Sequence, residues 1–171
     1  MSERYIDFNN THIPFGYLIT FRSYGTWLHG DSRGSVDRFH RTHGAPMLPP
    51  NHQRTTYERS LLKQPTVILD SCQRRVVDSN IRETCTIRKW CLWALNVRTN
   101  HVHAVVTANH KPQAVLSALK ANATRAMRET GCWNGELSPW AYRGSKKYLW
   151  TEKELTDAIA YVQYDQGEPL P

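Results

Sequence analysis

Two histidines one residue apart open an apolar run, Asn100-His101-Val102-His103-Ala104-Val105-Val106. In an extended strand alternate side chains share a face, so His101 and His103 point one way while Val102, Ala104 and Val106 point the other. Two imidazoles on neighbouring same-face positions can close on one divalent metal ion, a role that suits Zn, Mn, Fe, Co and Ni well and Mg less well. A His-x-His pair alone is a modest signal, equally compatible with a strand whose polar face carries two histidines. A second group near the C-terminus, Tyr161-Val162-Gln163-Tyr164-Asp165-Gln166, strengthens it. Tyr161 and Asp165 are four apart and share one face of a helix. The Asp165 carboxylate could join His101 and His103 as a third, oxygen ligand, with the amide oxygen of Gln166 as the alternative. The Tyr161 phenol would then stand beside the metal, although a ring packed at a helix–sheet seam accounts for it too. Tyr164 is a second phenol, but its partner one turn on, Glu168, falls beyond Gly167.

The rest of the chain must position these groups. Phe15 to Arg22 reads as a strand with Tyr17, Ile19 and Phe21 on one face. From 29 to 65 the periodicity disappears, in a stretch carrying His29, His40, His43, His52, Arg33, Arg38, Arg41, Arg54 and a Pro49-Pro50 break. It reads as an irregular insertion, either a basic loop closing over a phosphate backbone or a solvated excursion. A long helical pattern follows, with Thr66 as N-cap and an end near Lys89. Its inward residues are Leu69, Cys72, Val76, Val77, Ile81 and Cys85. Trp90 to Val97 and His101 to Thr107 are strands joined by the short Arg98-Thr99-Asn100 turn, hence an antiparallel hairpin. Pro112 opens a helix that Gly131 closes. Residues Trp140 to Trp150 alternate aromatic and basic side chains, with a short strand expected only over Tyr148-Leu149-Trp150. Thr151-Glu152-Lys153-Glu154 is a capping box opening a last helix, in which Leu155, Ile159 and Val162 recur.

The order strand-helix-strand-strand-helix-strand implies an α+β fold: an antiparallel sheet with two helices on one face and the tyrosine-bearing helix appended. At 171 residues a single domain over 1–171 is expected. No apolar run is long enough for a membrane span. The opening Met1-Ser2-Glu3-Arg4 leads into polar sequence without the apolar core of a secretion signal. The stop soon after Gly167 leaves room for a longer native tail. Cys72, Cys85, Cys91 and Cys132 lack Cys-x-x-Cys spacing, which favours reduced, mostly buried thiols in a cytoplasmic protein over a zinc knuckle. A net charge of +7, from 22 Lys and Arg against 15 acidic residues, favours a polyanionic partner. Six Trp and eight Tyr add flat rings that suit unpaired bases.

The His101-Val102-His103 strand, with Asn100 before it and a tyrosine helix at the end of the chain, resembles the HUH single-tyrosine transposases. These comprise insertion-sequence transposases and REP-associated tyrosine transposases. The resemblance runs from Tyr17 to Gly167 and departs at Asp165, where the family carries an amide side chain. It implies a ferredoxin-like HUH core and a divalent ion, Mg or Mn, held by the histidine pair. It further implies that Tyr161 cleaves and rejoins DNA strands through a 5′-phosphotyrosine link. Reach to a single flexible strand favours single-stranded DNA, with or without a flanking hairpin. Stacking and phosphate contacts are expected from Tyr142, Arg143, Lys146, Lys147 and Trp150. The expected location is cytoplasmic, on the nucleoid when bound to DNA. Homodimer and monomer both stay open, since insertion-sequence enzymes often exchange the tyrosine helix across a dimer and REP-associated ones act as monomers. Two other classes compete: a catalytically inactive, domesticated relative that binds hairpin or single-stranded DNA, and a metallohydrolase or RNA-processing enzyme using the histidines without a covalent step.

Overall fold

The structure, a computed structural model, describes residues 13–34 and 47–167. Arg38, His40, Arg41, His43 and Glu168 lie outside them. Eight elements follow one another: β1 (Gly16–Ser23), α1 (His52–Ser60), α2 (Ser71–Ile87), β2 (Cys91–Val97), β3 (His101–Thr107), α3 (Pro112–Glu129), β4 (Trp140–Leu149) and α4 (Glu152–Tyr164). The strands form one antiparallel sheet in the order β2-β3-β1-β4, which places β3 in its interior.

Strand alternation divides the hydrophobic residues between two layers. Tyr17, Ile19 and Phe21 of β1, with Val102, Ala104 and Val106 of β3, face α2 and α3. There they meet Val77, Ile81, Val115, Leu119 and Met127. Trp140 sets its ring edge-on to Phe21, with centroids 4.9 Å apart. The opposite face carries Ala94, Val105 and Leu149, which α4 covers with Ala158 and Val162. As the sequence predicts, two helices share one face; the tyrosine helix, expected only as an appended element, closes the other.

Four local expectations are corrected. The helix over the sheet starts at Ser71, not after Thr66. The Val67 N–H donates to Tyr24 O and the Leu69 N–H to Thr99 O, so the 66–70 backbone is committed elsewhere. Asp70 is the true N-cap, in a reciprocal capping box with Gln73. Within the expected irregular insertion, His52–Ser60 is a helix capped by Asn51, polar throughout and with no buried residue. The strand expected over 148–150 is a ten-residue β4. It paires so closely with β1 that a Cβ at Gly144 would lie 2.7 Å from Thr20 O. Finally, all four cysteines are free thiols, but only Cys85 is buried; Cys72 and Cys91 are exposed. Cys72, at the first turn of α2, therefore lies off the helix's inward stripe.

A bulge in β2 has a consequence for the site. The register against β3 shifts between Leu92 and Ala94. Two-residue spacing would normally keep these side chains on one face, yet Leu92 packs with the α2/α3 layer and Ala94 with the α4 layer. Asn96 is thereby carried to the α4 side, where its Nδ2 donates to Val162 O at 3.2 Å.

Candidate active site

His101 and His103 lie on the face covered by α4, with ring centroids 4.7 Å apart. Their neighbours on β1 are fixed by register: Thr20 pairs with His103 and Arg22 with His101. His101 Nδ1 lies 2.6 Å from Asn100 Oδ1. A carboxamide oxygen can only accept, so Nδ1 carries the proton and Nε2 presents its lone pair. His103 Nδ1 is 2.7 Å from Thr20 Oγ1. Burial holds both imidazoles in the neutral form. Desolvation, with Arg22, Arg98 and Arg33 adding, lowers the His101 pKa even against its contact with Gln166. Desolvation, then His101 and Arg22, lowers that of His103 to about 4.

Helix α4 brings up the other half. Its N-terminus is held by a capping box: Thr151 accepts from the Glu154 N–H, and the Glu154 carboxylate accepts from the Thr151 and Trp150 N–H groups. One turn before its C-terminus the Tyr161 ring stands edge-on to His103, centroids 5.4 Å apart and planes at 77°. The ring is 40 % exposed, so it is a phenol at an open seam rather than a core ring. Tyr164, 77 % exposed, has its ring in solvent.

Past the helix the chain turns back. The Gln166 amide donates from Nε2 to Tyr161 O at 3.1 Å, which aims its Oε1 at His101 Nε2, 3.4 Å away. Asp165 is the exposed C-cap, its N–H bonded to Tyr161 O. Among the described residues no three His, Cys, Asp or Glu side chains converge as a metal cluster. Of the two oxygen ligands considered from the sequence, then, Gln166 is the one brought to the histidines, and Asp165 is not. The Gln166–His101 pair also tests whether these residues suit a cation. An amide oxygen and an imidazole lone pair are both acceptors, and a proton between them is disfavoured by the lowered His101 pKa. An imidazole nitrogen facing an amide oxygen, with a second neutral imidazole beside it, is a donor set whose chemistry suits a divalent ion.

The residues expected to contact DNA divide between faces. Lys147 pairs with Leu18 on the α4 side of β4. Lys146, one residue earlier, pairs with Ile19 on the other side and donates to Gln113 of α3 at 2.7 Å. Trp150 stacks nearly parallel on Tyr148, centroids 5.3 Å apart. Tyr142 is 92 % exposed, with the Arg143 guanidinium 5.9 Å from its ring centroid. These side chains border the sheet edge rather than forming one surface with the histidines. Sequence reasoning did not single out Thr20, Asn96 or Arg22 as site residues. Their roles depend on cross-strand register and on a bulge, which have no local signature.

The same β-sheet and helix order occurs in known structures. A REP-associated tyrosine transposase bound to a REP hairpin superposes with a TM-score of 0.50 at 14% identity, over 95% of this chain and 70% of that one. A crystal structure of a candidate transposase from Deinococcus radiodurans R1 gives a TM-score of 0.48 at 14% identity, over 98% of each chain. No protein-family model matches the chain, and no curated protein matches it. The fold is accordingly α+β. More particularly, it is the architecture seen in the REP-associated tyrosine transposase. Among the described residues no helix is long and apolar enough to cross a membrane.

Proposed function

We propose that this chain is an HUH-type single-tyrosine transposase, a metal-dependent enzyme that cuts and rejoins single-stranded DNA through a covalent tyrosine link. One observation carries the reading: the Tyr161 ring from the end of the chain packs on His103 of a neutral histidine pair in its middle. A tyrosine at a helix–sheet seam has no need of two neutral imidazoles, one of them facing an amide oxygen. The likeness to a tyrosine transposase solved with a DNA hairpin supports the same reading.

In this mechanism His101, His103 and Gln166 would hold a divalent ion, Mg or Mn. When bound, such an ion supplies charge neutralisation at a non-bridging phosphate oxygen. Asn100 and Thr20 orient the two imidazoles through their Nδ1 atoms. The Tyr161 oxygen attacks phosphorus and loses its proton as the bond forms. The P–O3′ bond breaks, leaving a 5′-phosphotyrosine and a free 3′-hydroxyl. Because the link conserves the phosphodiester bond, attack by a second 3′-hydroxyl rejoins or transfers the strand and returns Tyr161. The exposure of the ring lets a flexible strand reach it. Tyr142, Arg143, Lys146, Lys147 and Trp150 would hold flanking nucleotides by stacking and phosphate contacts.

Incubation with a pool of single-stranded oligonucleotides and Mn, followed by denaturing electrophoresis, tests this. A protein–DNA adduct is expected, and it should vanish in Tyr161→Phe. Binding without an adduct would instead indicate a non-catalytic DNA-binding protein. Cleavage surviving the substitution would indicate a nuclease with no covalent step through Tyr161, or Tyr164 as nucleophile.

A further inference from the structure

Beside the histidine pair lies a cationic group that the mechanism above leaves unused. Arg22 is paired with His101 across the β1–β3 ladder and is half-buried on the same face. Its guanidinium carbon stands 3.6 Å from the Trp27 ring centroid, a close cation–π stack. Trp27 is fixed in turn, its Nε1 donating to Gly34 O at 2.7 Å. A second guanidinium, that of Arg33, lies 4.6 Å from the same centroid. The two arginines are in different electrostatic states. Arg33 is neutralised by Asp31, with Nε and NH2 each 2.7 Å from a carboxylate oxygen, and also donates to Thr26 O. Arg22 makes no hydrogen bond or ion pair with another described residue. Burial and the Arg33 charge lower its pKa to about 10, with Asp31 and the Tyr161 phenol opposing weakly.

A stacked guanidinium keeps its N–H donors in the plane of the ring, directed outward and preset for an oxyanion. Desolvating such a group without an acceptor is unfavourable, so the arrangement is complete only when an anion arrives from outside. Among the described residues no carboxylate pairs with Arg22, and Asp31 is taken by Arg33. Arg22 pairs with His101, whose neighbour His103 carries the Tyr161 ring against it, so an anion held by Arg22 would lie on the Tyr161 side of the sheet. We infer that Arg22, braced on Trp27, forms a phosphate subsite that grips an oxygen of the phosphodiester presented to Tyr161. The inference rests on the function proposed above. It adds a residue that touches substrate and orients the phosphate.

The test uses the full chain with a random single-stranded oligonucleotide pool, comparing wild type, Arg22→Gln and Arg22→Lys. Two readouts are taken: adduct formation with Mn at saturating DNA, and the salt dependence of binding. Arg22→Gln should slow adduct formation about 10- to 100-fold, the loss expected for a charged hydrogen bond. It should also reduce the slope of log affinity against log salt by about 0.7, the share of one single-strand phosphate. Arg22→Lys keeps the charge but not the fork or the stack, so it should retain the slope and only part of the rate. Wild-type rate and slope in Arg22→Gln would overturn the subsite. Should Arg22→Gln not fold, an unimpaired rate in Arg22→Lys overturns it equally. If wild type forms no adduct, the transferase reading fails by itself, and the salt slope alone decides whether Arg22 holds a phosphate.

Discussion

His103 shows how a single residue ties the site to the stability of the fold. Unfolded, its imidazole titrates near the ordinary 6.5; folded, burial holds it to about 4. Between those values the unfolded chain binds more protons, so stability rises with pH through the window. The contribution is complete above about 6.5 and lost as pH falls through 4. The gap corresponds to roughly 3 kcal/mol, and His101 acts in the same direction. In chelator-containing buffer, urea midpoints should therefore fall steeply from pH 6.5 to 4, and His103→Gln should flatten the curve. The histidine pair and Tyr161 were legible in the sequence because a two-residue period and a helical turn assign faces directly. Choosing between Asp165 and Gln166 was not possible. Both lie where the helix ends, and only the turn back onto Tyr161 O decides which side chain meets His101. Arg22 was hidden for another reason: an arginine at a strand end is unremarkable until Trp27, from a stretch without periodicity, is folded beneath it.

At the level of elements, α4 matters most, because it carries Tyr161, the proposed nucleophile, on a short apolar stripe. Thr151 and Glu154 satisfy its first N–H groups in both directions. Thr151→Ala should cost about 1 kcal/mol of stability in denaturant unfolding. It should also lower adduct formation, since the end of the helix that is lost anchors the end that reacts. This capping box was readable from Thr-x-x-Glu before an apolar period, and the structure agrees. The same logic led astray at Thr66. A threonine after Pro65 is a plausible cap, but Asp70 with Gln73 is a better one, and backbone bonds from Val67 to Tyr24 and from Leu69 to Thr99 commit the intervening residues. Helix α1 escaped notice because it buries nothing and so shows no apolar period. The length of β4 escaped for a related reason. Half of its residues are exposed, and its partner is a strand far away in sequence.

For the molecule as a whole, the element order was enough to anticipate two layers on an antiparallel sheet. The order of strands within it follows from pairings between segments remote in the chain, which no local pattern encodes. That order has a dynamic outcome. Strand β3 is bonded on both flanks, to β1 and β2, and its buried residues serve both layers. Helix α4 is held chiefly by Leu155, Ala158, Ile159, Val162 and one bond from Asn96. Native-state hydrogen exchange should find the His101–Thr107 amides among the slowest in the protein and those after Tyr161 among the fastest. The imidazoles thus belong to the last part of the molecule to open, and the phenol to one of the first. A strand joined to Tyr161 could swing out with its helix while the histidines stay in place to receive the next one.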